Sequence, residues 1–412
     1  MKHTSKLITG SYSDLLVGKR IALCVTGSVA AVTTTSLARL LMRHGADVHC
    51  VMTEASRQII HPYLLEWATG NEVITHLTGK IEHVTLAGKH PDRVDLVIIS
   101  PSTANTIGKV ANGIDDTPVT TTVSSAIGAG IPTLVVPAMH QSMYDHPAVV
   151  ENIEKLRGWG IRVLAPRLEE GKAKIPTTET ILEYALQMAT ANDMEGRKFV
   201  ITAGPTRAWL DGVRFLTNPS TGKMGIALAD EACSRGADVD LIIGPTAERP
   251  PSLVNVVSVE TPEEMLEAVM QSLSAERADA LISAAAVLDY QPTKKIEGKM
   301  KSEEEGRHID LVATPKIIEE VRERYSDLLI VGFKVEVDVE EKELEKRAQK
   351  KIQSGICNLV VANDAAKKGV AFGTDTNQVI LVGESDFVQK TPKKSKRDVA
   401  RIILEEVIRR IE

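Results

Sequence analysis

The stretch TAGPTRAWLDGVRFLTNPSTGKMG, Thr202 to Gly225, follows the β-rich run KFVIT (Lys198 to Thr202) and leads into a helical pattern that starts near Gly222 and runs to about Arg235. A strand that enters a helix through glycines lets backbone N–H groups approach an anion closely, and the helix N-terminus adds favourable partial charge. The spacing is not the dinucleotide fingerprint G-x-G-x-x-G. Instead, Gly204 is followed by a long insert carrying Arg207, Arg214 and Asn218. A connection of this length with no structure of its own is expected to be functional.

The same strand, glycine turn and helix pattern occurs earlier. RIALCVT (Arg20 to Thr26) is a continuous β-rich run of the kind buried on both faces of a parallel sheet. It opens into Gly27-Ser28-Val29-Ala30-Ala31 and a helix to His44, with Gly45 as stop and a second strand at Asp47 to Met52. Strands are expected at Leu96 to Ser100 and Thr133 to Pro137, and helices at Thr103 to Ala111, Pro147 to Arg157 and Thr177 to Ala191. Residues 1 to 18 read as a leader. The polar stretch ANDMEGR, residues 191–197, is the expected linker between domains 1–190 and 198–412. Beyond it the strands fall at Phe199 to Thr202, Val239 to Ile243, Ala280 to Ser283, Leu328 to Gly332 and Leu359 to Ala362, with a last helix from about Ser395 to Ile411. Strand alternates with helix throughout, so the fold class is α/β, with two doubly wound domains.

The 412 residues carry 43% hydrophobic and 25% charged residues, an ordinary globular composition. Aromatics at 3% and a net charge of −6 argue against a nucleic-acid partner. Cys24, Cys50, Cys233 and Cys357 lack metal-ligand spacing and suit buried thiols in a reducing compartment. No apolar run suggests a membrane span or signal peptide, so a cytoplasmic location is expected. The basic run KTPKKSKR, Lys390 to Arg397, reads as a solvated charge run.

Three strand ends in the first half carry polar residues, at Gly27-Ser28, at Ser100-Pro101-Ser102-Thr103-Ala104-Asn105 and at Pro137-Ala138-Met139-His140-Gln141-Ser142-Met143-Tyr144. Open α/β sheets bind ligands at this carboxyl edge. Together with the Gly113 to Thr117 segment GIDDT, these motifs resemble the FMN-using cysteine decarboxylases, and His83 in Ile81-Glu82-His83-Val84 matches their catalytic histidine. In the second half, Arg214 to Gly225, Ala284 to Tyr290 (AAAVLDY), Lys299-Met300-Lys301 and Gly332-Phe333-Lys334 resemble phosphopantothenate–cysteine ligases. In this order, over nearly the whole chain, the two resemble the bifunctional enzymes of coenzyme A biosynthesis.

The resemblance implies a flavodoxin-like FMN-binding domain and a Rossmann-like ligase domain. It implies CTP-dependent joining of 4′-phosphopantothenate and cysteine through an acyl-cytidylate, then FMN-dependent decarboxylation of 4′-phosphopantothenoylcysteine to 4′-phosphopantetheine. Flavin contacts are expected at Gly27, Ser28, Val29, Thr53, Ser100, Thr103, Asn105 and Thr120, with His83 as acid/base and His140 as a further catalytic candidate. Asn218 is expected to hold the acyl-cytidylate, with Arg214 in the same loop, and Lys299 to meet the triphosphate. Ala285 and Phe333 are expected in the nucleotide site, and Asp289 near the nucleotide and its Mg²⁺. Lys346, Lys350 and Lys351 either reach the triphosphate or form a solvated helix face. Family assembly implies a homo-oligomer of flavin-domain trimers and ligase dimers, a dodecamer in which His83 serves a neighbour's flavin.

Two positions depart from that pattern. His140 stands where the family motif has asparagine. The segment Ala165 to Ile175, APRLEEGKAKI, lacks the family's proton-donating cysteine, leaving Lys172, Lys174 or His140 as candidate donors. These departures motivate an alternative in which a working ligase is fused to a flavin-binding regulatory or assembly module without decarboxylase activity.

Overall fold

Five strands form the sheet of the first half: β1 (Arg20–Val25), β2 (Asp47–Met52), β3 (Leu96–Ser102), β4 (Thr133–Pro137) and β5 (Arg162–Val163), in the order β2-β1-β3-β4-β5 and parallel throughout. This is the flavodoxin-like order. The period of two along β1 builds both cores: Ile21, Leu23 and Val25 face the helices Thr34–Arg43 and Thr178–Ala189. Ala22 and Cys24 face Ala104–Ala111, Pro118–Gly128 and Pro147–Gly158. The computed structural model describes residues 3–190, 192–300, 308–370 and 372–412. Ala191, where the expected linker begins, and Lys301 of the Lys299-Met300-Lys301 motif lie outside them. Contacts divide the chain into units Met1–Ala191 and Asn192–Glu412.

The N-terminal segment is more than a leader. Thr4–Ile8 forms a short 3₁₀ turn and Leu16 is fully buried in the first core, a contribution of about 1.5–3 kcal/mol for a residue of this size. Lys6 pairs with Asp47 at 2.6 Å, and Asn71 donates to the same carboxylate. Hydrogen bonds, first from His49 and then from Lys6 and Asn71, hold Asp47 far below the usual carboxylate range.

The sheet of the second unit contains β6 (Lys198–Ala203), β7 (Asp238–Ile243), β8 (Asn255–Ser258), β9 (Ala280–Ser283), β10 (Leu329–Glu336), β11 (Leu359–Asp364), β12 (Ile380–Gly383) and β13 (Val388–Lys390). Their order is β8-β7-β6-β9-β10-β11-β12-β13, with the last two strands antiparallel. The six parallel strands follow the Rossmann order, and the expected α/β class holds in both units. Helices Lys223–Ser234 and Lys396–Ile411 cover one face of this sheet, while Pro262–Ala275, Ile317–Arg324 and Glu341–Gln353 cover the other.

The insert after Gly204 does have structure of its own, contrary to expectation. Arg207–Trp209 and Phe215–Thr217 pair as an antiparallel hairpin, with Trp209 and Phe215 edge to face at 5.1 Å. The run Lys390 to Arg397 is likewise not simply solvated. Lys390 pairs with Glu341 and Glu345, Arg397 pairs with Asp230 and Glu231, and Lys396 is only 6% exposed. All four cysteines are buried, and burial pushes the Cys50 thiol up to about 12. No helix among the described residues is long and apolar enough to cross a membrane.

Candidate functional site

Strand order reverses in the second unit between β6 and β9, and the loops leaving these two strands are laced together there. Thr202 Oγ1 accepts from the Ala285 N–H at 3.2 Å, Thr206 Oγ1 from Leu288 at 3.0 Å, and the Gly204 carbonyl from Ala286 at 2.9 Å. Asn218 adds the side-chain tie: its Nδ2 donates to the carbonyl oxygens of Ala286 at 3.1 Å and Val287 at 3.2 Å. Gly222 has φ +77° as it opens the next helix, a left-handed conformation that favours glycine. Gly225, one turn on, lies so close to β6 that an added Cβ would meet the Ala203 Cβ at 2.5 Å.

These elements enclose a pocket of about 460 Å³ at the switch point, the expected ligand position for such a sheet. Asn218, Ala285, Asp289 and Phe333 line it, together with Lys316, Lys351, Asn363 and Asn377. Asp289 is largely exposed and pairs with Lys316. Among the described residues no three His, Cys, Asp or Glu side chains cluster as a metal site.

Other expected residues of this unit do not line the pocket. Arg214 is held at the hairpin tip, where it bonds Asp211 at 3.3 Å and the Met300 carbonyl at 3.4 Å. Backbone N–H groups, first Met300 and then Val213 and Arg214, hold the carboxyl of Asp211 below the usual carboxylate range. Exposed Lys299 sits on the same pinned loop, since the Gly298 carbonyl accepts from Gly212 at 2.8 Å. Lys346 and Lys350 lie exposed on Glu341–Gln353, while Lys351 of the same helix lines the pocket. Lys223, Lys351 and Lys396 come from three distant segments, so no local spacing marks them as a group.

The first unit holds a cavity of about 960 Å³ at the carboxyl ends of β1 to β4. Gly27, Ser28, Val29, Thr53, Thr103, Asn105, Thr120 and His140 line it. The hydroxyls of Ser28, Thr53 and Thr103 cap the following turns, accepting from Ala30 at 3.4 Å, Ser56 at 3.3 Å and Thr106 at 3.3 Å. A Cβ on Gly27 would come within 2.5 Å of the Ala55 Cβ. Ser100 is the exception: it is buried inside β3, and its carbonyl accepts from Thr34 Oγ1 at 3.4 Å.

A three-stranded antiparallel ribbon, Met139–His140, Arg167–Glu169 and Lys172–Lys174, forms one wall of this cavity and sets His140 opposite Lys172. Lys174 pairs with Glu170 at 2.7 Å. His83 does not line the cavity. It sits on the helix Glu82–Ala87, entered through Ile81 at φ +51°, a strained conformation for a β-branched residue. Thr78 clamps this turn by bonding Glu82 through its hydroxyl and its N–H, holding that carboxyl down to about 2. His83 Nδ1 is buried with no hydrogen-bond partner among the described residues.

Two family descriptions match the chain end to end: "Flavoprotein" over residues 9–190 and "DNA/pantothenate metabolism flavoprotein C-terminal domain" over residues 194–411. The chain is therefore built as a flavoprotein unit followed by a pantothenate-metabolism unit. It is 48% identical to the "Coenzyme A biosynthesis bifunctional protein CoaBC" of Thermococcus kodakarensis, over 99% of both chains. The protein of that name from Methanocaldococcus jannaschii is 38% identical, over 98% of this chain and 97% of its own. The chain belongs to this family of bifunctional coenzyme A biosynthesis proteins. A solved C-terminal domain of such a protein is 36% identical, covers 53% of this chain and 96% of its own, and has a TM-score of 0.44. The FMN-dependent cysteine decarboxylase SpaF is 30% identical, covers 42% of this chain and 99% of its own, and has a TM-score of 0.38.

Proposed function

We propose that the second unit joins 4′-phosphopantothenate to cysteine at the expense of CTP, and that the first unit decarboxylates the product to 4′-phosphopantetheine with FMN. The observation that carries this reading is the full-length, in-order match of both units to one bifunctional family. The same match disfavours the reading of the first unit as a regulatory module.

In the ligase step, the substrate carboxylate attacks the α-phosphorus of CTP, pyrophosphate leaves, and the cysteine amine then displaces CMP from the acyl carbon. Asn218 fixes the loop over the reacting acyl group, and Ala285 and Phe333 border the nucleotide. Lys299, outside the pocket wall, is the lysine assigned to the triphosphate by its place in the family motif; Lys351 is at the pocket wall. One carboxylate, Asp289, suits Mg²⁺ held mainly by phosphate oxygens and water. That arrangement requires Asp289 to exchange Lys316 for the ion.

The glycine rim and hydroxyl caps at Gly27, Ser28, Thr53 and Thr103 fit FMN, because they let a phosphate and a flat ring system approach the backbone. Bound FMN supplies the two-electron oxidation of the cysteinyl group and the return of those electrons. His140 and Lys172, paired across the ribbon, close the substrate side. His83 carries a proton at the flavin of a neighbouring subunit, in a homo-oligomer of trimeric flavin units and dimeric ligase units. The protein works in the cytoplasm. Mass spectrometry of the cofactor released from purified protein, with ligation rates on CTP against ATP, tests the reading. FMN and a preference for CTP are expected; a flavin-free protein overturns the decarboxylase half.

A further inference from the structure

The carboxylate of Asp211 is fully buried at the tip of the hairpin formed by Arg207–Trp209 and Phe215–Thr217. Burying an ionised carboxylate is costly unless its oxygens find partners. Here both do. Oδ1 accepts from the N–H groups of Val213 and Arg214, at 2.7 Å each, and so closes the hairpin turn itself. Oδ2 reaches beyond the hairpin: it accepts from the Met300 N–H at 3.0 Å, and from Arg214 Nη1 at 3.3 Å. Of these partners, the Met300 N–H does most to hold the carboxyl below its usual range.

Met300 lies 89 residues further along the chain, next to Lys299. The hairpin takes up both of its main-chain polar groups, since Arg214 Nη1 also donates to the Met300 carbonyl at 3.4 Å. On the other side of Lys299, the Gly298 carbonyl accepts from the Gly212 N–H at 2.8 Å, and the Ile296 N–H donates to the Leu210 carbonyl at 2.9 Å. The approach is close: a Cβ on Gly212 would meet the Gly298 carbonyl oxygen at 2.9 Å. The main chain on both sides of Lys299 is therefore tied to one hairpin tip, while its side chain stays exposed. At its other end the hairpin is anchored just before Asn218, where Thr217 Oγ1 donates to the Thr206 carbonyl at 2.9 Å. Trp209 against Phe215, and the Arg207 guanidinium over Phe215 at 4.4 Å, stiffen the link between the two loops.

We propose that Asp211 is a positioning residue for Lys299: through Oδ2 and the Met300 N–H it sets the main-chain position from which the Lys299 ammonium meets the triphosphate. The tie itself stands on this geometry; its part in the reaction rests on the ligase reading. An ammonium on a flexible four-carbon stem has no fixed place of its own, so the anchoring of its main chain decides which oxygens it reaches.

Asp211→Asn separates the tie from the hairpin. The amide keeps the oxygen that closes the turn and puts an NH₂ group where Oδ2 accepted from Met300, so two donors face each other. Acyl-cytidylate formation is followed in the full-length protein as single-turnover pyrophosphate release from CTP and 4′-phosphopantothenate without cysteine; cysteine added afterwards gives the rate of the second step. We expect pyrophosphate release to fall about tenfold or more in Asp211→Asn, with the second step within about twofold of wild type, a split that general loosening of the unit would not give. In a Lys299→Gln background the same substitution should cost less than about twofold, because the group it positions is gone. Wild-type pyrophosphate release in Asp211→Asn, or an equal loss in both backgrounds, overturns the proposal. Should Asp211→Asn not fold, Gly212→Ala, which forces the same two segments apart, takes its place with the same outcomes. Hydrogen exchange at the Met300 N–H keeps the two readings apart. A wild type that releases no pyrophosphate refutes the ligase reading; the tie is then upheld if Asp211→Asn loses the protection of the Met300 N–H, and overturned if it keeps it.

Discussion

The carboxamide of Asn218 donates to the main-chain carbonyl oxygen of Ala286 over 3.1 Å, joining the loop that leaves β6 to the loop that leaves β9. A second bond from the same nitrogen reaches Val287. One side chain thus bridges the point where strand order reverses, and both amide protons are committed to the backbone. The Oδ1 acceptor is left for a ligand.

Asn218→Asp replaces that donor with a carboxylate facing two carbonyl oxygens. The loop should move away from Ala286 and Val287 while the sheet stays intact, with a loss of about 1–3 kcal/mol. Amide formation should fall by about 100-fold or more, the scale seen when a positioned polar group is lost from a reacting centre. Rapid-quench measurement of cysteine coupling checks this; coupling at the wild-type rate contradicts it.

Gly27→Ala places a methyl group 2.5 Å from the Ala55 Cβ and 3.3 Å from the Ala55 carbonyl carbon, where the backbone has little room to yield. Overpacking of this kind costs about 1–3 kcal/mol. Flavin content after purification should drop at least tenfold while ligase activity is retained, because the altered turn belongs to the first unit. Full flavin occupancy in the variant removes Gly27 from the site.

Lys396 gives stability a distinct pH dependence. Its folded pKa of about 8 lies below the ordinary 10.5, so between those values the unfolded chain holds the proton and the folded one does not. Stability from this group therefore rises with pH across that window, and below about 8 the burial penalty is present in full. Lys396→Met should stabilise the folded protein at pH 7 and flatten the rise above pH 8. Urea midpoints at pH 7, 8 and 9 measure both effects. A Met variant less stable than wild type at pH 7 speaks against this account.

The fold was largely legible where strands are long and buried on both faces. Thr133–Pro137 and Ala280–Ser283 stand where the β-rich runs put them. Arg162–Val163 is too short to show a period, and the antiparallel strands Ile380–Gly383 and Val388–Lys390 offer no strand–helix alternation. The hairpin of three-residue strands inside the Gly204 insert escaped for the same reason. Cavity residues just past the carboxyl ends of buried strands, such as Ser28 and Thr103, were readable from local sequence. Lys396 was not: in KTPKKSKR its burial depends on Lys223–Ser234, far away in the chain, and a basic run looks the same whether its lysines point out or in. Lys346, Lys350 and Lys351 show the opposite case, where helix geometry turned one of three candidates toward the pocket.

The most direct test of a two-unit, two-step enzyme is one reaction followed by two readouts. Purified protein is incubated with 4′-phosphopantothenate, cysteine, CTP and Mg²⁺, and pyrophosphate and CO₂ are measured together in wild type and His83→Asn. Wild type should release both in equal amounts, and His83→Asn should release pyrophosphate at the wild-type rate with CO₂ reduced at least 100-fold. Pyrophosphate without CO₂ from wild type, or undiminished CO₂ from His83→Asn, contradicts the account.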